Sequence, residues 1–165
     1  MLIDGPVGNL EIEYSDNRGK DTMAILCHPH PSYGGNMDDL VLAEARACCE
    51  KLRIPHVRFN FRGVGASEGS HDSSDAEYNG EVEDLKAVLS WTRTAFRSER
   101  VIGIGYSFGS FIINRGDQLN LFNKSVLIAP PNVSMSFIFD NPERACDIVY
   151  GENDTYIDPR KFPSQ

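Results

Sequence analysis

Short apolar runs alternate along this chain with longer segments whose apolar residues recur every three or four positions. Met23 to Cys27 is a continuous apolar run, the pattern of a strand covered on both faces. Ile54 to Phe61, Val101 to Gly105, Ser125 to Ala129 and Asp147 to Tyr150 predict four further strands. Leu10 to Tyr14 alternates apolar and acidic residues, which predicts an edge strand.

Three helices fall between these strands. Val41, Ala45, Cys48 and Leu52 share one face of the first, with Asn36 as its cap and Asp38 and Asp39 near its positive end. Ser74 and Glu77 form a capping-box pattern that opens a second helix reaching about Phe96. Its buried stripe reads Tyr78, Val82, Leu85, Leu89 and Phe96. Gly80 inside that span costs about 1 kcal/mol, which argues for a later start. The third helix runs from Ser107 to about Leu119.

Strands alternating with helices imply right-handed crossovers and a parallel sheet. The expected class is α/β: a three-layer α/β/α sandwich with a mostly parallel sheet, as a single domain over residues 1–165. Ligands of such sheets bind outside the carboxyl ends of the strands. Those ends hold His28 to Pro31, Arg62 to Gly69, Ser107, Pro130 to Asn132, and Asp154.

Composition narrows the partners. The net charge of −8 disfavours phosphate backbones and anionic membranes, so neither nucleic acid nor a membrane is expected. Residues 1–9 lack a basic segment and a long apolar stretch, so a cytoplasmic location is expected. Cys27, Cys48, Cys49 and Cys146 form no C-x-x-C pair and read as reduced core thiols. No cofactor is expected, and His28 and His30 have no companion cluster suited to a metal.

The chemistry concentrates at Gly105-Tyr106-Ser107-Phe108-Gly109, a G-x-S-x-G pattern set between an apolar strand and a helix. A tight strand-to-helix turn exposes the serine oxygen at the helix start, where free N–H groups stabilise a developing oxyanion. Gly105 and Gly109 leave room for the neighbouring strand and helix. A glycine-rich connection holding an ordinary serine is the plainer alternative. A dinucleotide loop on Gly103 and Gly105 is disfavoured, because the last glycine of that fingerprint is replaced by Phe108.

Acyl transfer needs two donors for the oxyanion. Phe108 N–H is one; the other comes from the loop after an earlier strand, here His28 to Pro31. Pro29 and Pro31 have no N–H, which points to His30. A proline-braced turn with His28 packed beneath it is the structural alternative. The Arg62 to Gly69 loop either rims the pocket or packs through an Arg62 ion pair. Phe137, Ile138 and Phe139 either line an acyl pocket or plug the core.

Three segments carry a family resemblance: His28 to Gly35, Arg58 to Gly69, and Gly105 to Gly109. With Gly151-Glu-Asn-Asp154 they resemble the α/β-hydrolase superfamily, and within it small dienelactone-hydrolase-like bacterial hydrolases. The resemblance spans about Leu2 to Asp158. It implies Ser107 as nucleophile, Asp154 as triad acid, and Phe108 with His30 as oxyanion donors. Asp158 and Asp147 are weaker candidates for the acid, and Asp154 has the alternative role of capping its turn.

The superfamily order of the triad is serine, acid, histidine. Here His28, His30, His56 and His71 all precede Ser107, and none of the eleven residues after Asp154 is histidine. The last strand and helix of that fold also have no counterpart in the pattern, which reads as a C-terminal truncation. The strand at Asp147 to Tyr150 would then be an open edge, available to a second copy. Two function classes follow. One is a serine hydrolase of a small ester, thioester or related acyl compound, impaired unless a partner chain or a local histidine such as His30 or His71 supplies the base. The other is a non-catalytic relic or interaction module.

Overall fold

A computed structural model describes residues 1–15, 21–140 and 145–163. Its sheet has seven strands in the order β1-β2-β4-β3-β5-β6-β7. These are β1 (Leu2–Gly5), β2 (Gly8–Tyr14), β3 (Thr22–Cys27), β4 (His56–Phe59), β5 (Arg100–Tyr106), β6 (Lys124–Ile128) and β7 (Ala145–Val149). β4, β3, β5, β6 and β7 run parallel, while β2 runs antiparallel to both of its neighbours, β1 and β4.

β3 shows how the sequence builds three layers. Successive side chains point to opposite faces. Met23, Ile25 and Cys27 therefore enter the larger core with Val82, Leu85 and Ile112, while Ala24 and Leu26 meet Leu42 and Cys49 on the other face. Helices α2 (Asn79–Phe96) and α3 (Phe108–Gln118) lie on the first side, and α1 (Leu40–Lys51) lies on the second. α3 buries nine of its residues, including the polar Ser110, Asn114 and Asp117. Among the described residues no helix is long and apolar enough to cross a membrane.

Several local expectations need correction. Leu10 to Tyr14 is not an edge strand, because the short hairpin strand β1 covers it. α1 is capped by Asp39, whose carboxylate accepts from Val41 and Leu42 N–H at 2.8 and 3.4 Å. Asn36 instead closes a preceding turn by accepting from Asp38 N–H at 2.9 Å. The buried residues of α1 are Leu42 and Cys49, one heptad apart; Cys48 and Leu52 are exposed. The Ser74 box does not open α2. Asp75 holds that turn by accepting from Glu77 and Asn79 N–H, and Tyr78 enters the helix in the left-handed region at φ 49°.

β7 lies at the sheet edge and no residue of it is fully buried. Phe137 and Phe139 pack against the core, and Ile138 between them is exposed. Asn114 holds this loop by accepting from Ile138 N–H and donating to Ile138 C=O, at 3.0 and 2.8 Å.

Candidate active site

Ser107 sits between β5 and α3 with φ 51° and ψ −116°. A non-glycine residue in that region stores about 1–3 kcal/mol of strain, so its surroundings must hold it. Ser107 N–H donates to Ile128 C=O at 2.8 Å, tying the turn to β6. The Ser110 hydroxyl donates to Ser107 C=O. On the far side α3 presses against β3: a Cβ at Gly109 would fall inside 3.0 Å of the Cys27 and His28 carbonyls. The glycine is thus required by a close approach of backbone to backbone.

Ser107 lines a cleft of about 750 Å³, together with His30, Phe108 and Asp154. This volume is within the range of small-molecule sites. Ser107, Phe108, His30 and Asp154, all singled out in the sequence, thus meet at one cleft. Phe108 is the first residue of α3, so its N–H has no partner inside the helix. Asp154 accepts from Tyr156 N–H at 2.9 Å through Oδ1. Asp158 is occupied elsewhere: its carboxylate holds Arg160, which draws its pKa down to about 2. Asp147 pairs with Lys124 at 2.6 Å. Neither lines the cleft.

The histidines separate clearly. His28 is fully buried; its Nε2 accepts from Phe61 N–H at 3.1 Å, so Nδ1 carries the proton and donates to Pro29 C=O at 2.6 Å. Burial pushes its pKa down to about 4, and it acts as a neutral bolt between the loops after β3 and β4. His56 lies at the start of β4, at the opposite end of the sheet from Ser107. His30 Nδ1 accepts from Ser32 N–H at 3.2 Å, leaving its proton on Nε2, which faces Tyr78 Oη at 3.4 Å. Burial first, then the neighbouring His71, lowers the His30 pKa.

His71 is held by a carboxylate the sequence did not disclose. Its Nδ1–H donates to Glu81 Oε1 at 2.8 Å, and its Nε2 is buried without a partner among the described residues. Its ring stacks on Tyr78 and meets His30 edge-on, with centroids 5.6 and 4.9 Å away. It does not line the Ser107 cleft. Arg62 is likewise structural: its guanidinium grips fully buried Asp84 at 2.7–3.1 Å. Arg62 N–H also donates to Asp84 Oδ2 at 2.9 Å, and Arg62 is not part of the cleft wall. Glu81 and Asp84 are one helical turn apart on α2 and both are buried. Their burial follows from partners that arrive from a distant loop.

No protein-family model matches the chain. A Rickettsia prowazekii protein, uncharacterized protein RP471, is 31% identical over 168 residues, covering 95% of this chain and 67% of its own length. XC6422 of Xanthomonas campestris, described as an α/β serine hydrolase without a lid, superposes with a TM-score of 0.85 at 33% identity. The match covers 98% of this chain and 74% of that one. An α/β serine hydrolase homologue from Coxiella burnetii gives a TM-score of 0.75 at 30% identity, over 92% of this chain and 85% of that one. With its mostly parallel sheet and its likeness to these proteins, the chain belongs to the α/β-hydrolase superfamily.

Proposed function

We propose that the protein is a serine hydrolase of a small ester, thioester or related acyl compound, with Ser107 as its nucleophile. The strained conformation of Ser107, at the mouth of a helix and in the wall of a cleft, carries this reading. Ser107 Oγ attacks the acyl carbon and gives its proton to solvent. The oxyanion is received by the N–H groups of Phe108 and His30. The tetrahedral intermediate collapses, the C–O or C–S bond breaks, and the leaving group takes up a proton. Water then hydrolyses the acyl-serine, releasing the acid and restoring Ser107. Asp154 supplies the carboxylate of the site.

Turnover in these 165 residues is slow on this reading. The cleft's one histidine among the described residues, His30, has its acceptor nitrogen engaged by Ser32 N–H. Loss of the base in a serine triad lowers kcat by about 10⁶. The reaction is taken to be cytoplasmic, where four unbridged cysteines stay reduced.

Hydrolysis of activated 4-nitrophenyl esters tests the reading. Slow release that disappears in Ser107→Ala is the expected result. Release equal in both proteins would contradict it. The engaged acceptor nitrogen of His30 favours a second reading, a non-catalytic relative that pairs through the β7 edge. That reading predicts a dimer by light scattering and no effect of Ser107→Ala.

A further inference from the structure

The cleft wall has a composition that the fold does not require. Tyr33 is 89% exposed and Tyr156 is 66% exposed, and both line the cleft of Ser107. Large rings left in solvent contribute little to folding, and where they gather around a cavity they mark a contact surface. Each is anchored to a group of the proposed chemistry. The Tyr33 ring lies 5.1 Å from the His30 ring, and Tyr156 N–H donates to Asp154 Oδ1 at 2.9 Å. The same cleft is also lined by Tyr106, Phe111 and Met135, which makes its wall amphipathic.

The charges of the wall are one-sided. Glu77 and Asp154 line it, and no lysine or arginine does among the described residues. Arg115 reaches Glu77 at 2.6 Å and is committed to that pair. At Tyr106 burial first, then the Asp39 and Asp154 charges, raises the hydroxyl pKa. An anionic ligand would meet the Asp154 carboxylate, the Arg115-paired Glu77 and, among the described residues, no free cation in this wall, whereas a neutral ring meets faces on which to stack.

Resting on the reading of Ser107 as nucleophile, we propose that the cleft takes uncharged esters bearing an aromatic ring, held against Tyr33 and Tyr156, and discriminates against carboxylate-bearing ones. Calorimetric titration of the Ser107→Ala chain tests this with three matched amides: N-phenylbutanamide, N-cyclohexylbutanamide and 4-butanamidobenzoate. The phenyl compound should bind about five-fold more tightly than the cyclohexyl one. The benzoate should bind about five-fold more weakly than the phenyl compound. Tyr33→Ala and Tyr156→Ala should each erode the phenyl preference without changing Tm, and Glu77→Gln should narrow the gap to the benzoate. Equal binding of phenyl and cyclohexyl, equal binding of phenyl and benzoate, or no binding of any of the three would overturn the proposal. The order of binding needs no nucleophile, so it can fail while Ser107 reacts, or hold while Ser107 does not.

Discussion

On the wall of the cleft that carries Ser107 and His30, the elements lock through buried groups. Gly109 lies against the β3 carbonyls, His28 bolts one loop to the next, and Arg62 grips Asp84 beneath them. The wall that carries Asp154 is held differently. It follows β7, an edge strand with no fully buried residue, and its turn closes through Asp154 N–H to Gly151 C=O at 3.1 Å. Asn132 steadies it by donating to Asp158 C=O and accepting from Asp158 N–H, at 2.9 and 2.7 Å. The difference places the rigid scaffold where the backbone is strained. A serine at positive φ needs packing on both sides, while a carboxylate on a loop needs only local hydrogen bonds.

The sharpest way to break this contrast is to compare ion pairs in the elements behind the two walls. Asp84→Ala leaves Arg62 facing a buried gap and should lower the unfolding free energy by about 4 kcal/mol in urea titrations. Were it to cost less than 1 kcal/mol, the scaffold wall would not be locked as described.

Acid should act next most strongly, and through the same wall. In the unfolded chain His28 takes its proton near 6.5, but in the fold only near 4. Between those values the unfolded state binds more protons, so stability falls as pH drops from 6.5 to 4 and is unaffected above that window. The loss from His28 should total about 3 kcal/mol. The lowered His30 acts in the same direction. His28→Asn should flatten the slope of unfolding free energy against pH; an unchanged slope would show that His28 is not the group responsible.

The remaining effects belong to the Asp154 wall and should be smaller. Asn132→Ala removes two hydrogen bonds from a buried side chain and should cost about 2 kcal/mol. Asp147→Asn breaks a mostly exposed pair with Lys124 and should change stability by no more than about 0.5 kcal/mol. A cost for Asp147→Asn near that of Asp84→Ala would erase the distinction between the walls.

What could be read from the sequence follows the same division between local and distant causes. The turn at Ser107 was legible because glycine, serine and glycine at fixed spacing answer to backbone sterics within five residues. The strand runs of β3 and β5 were legible because burial on both faces leaves no polar positions. The start of α2 was not, because Asp75 and the left-handed Tyr78 competed with an equally plausible capping box at Ser74. The cap of α1 fell to Asp39 rather than Asn36, since two turn-forming residues stood three positions apart. Glu81 and Asp84 were invisible because their partners, His71 and Arg62, come from a loop that a helical pattern does not encode. β1 is four residues long and carries too short a pattern to register.

Reactivity of the Ser107 hydroxyl toward an electrophile separates the hydrolase reading from the non-catalytic one. Intact mass after incubation with a fluorophosphonate probe, on the folded chain and on Ser107→Ala, tests it most directly. A single slow adduct on the parent and none on the variant is the result expected of a nucleophilic Ser107. No adduct on the folded parent, or the same adduct on both proteins, would contradict it.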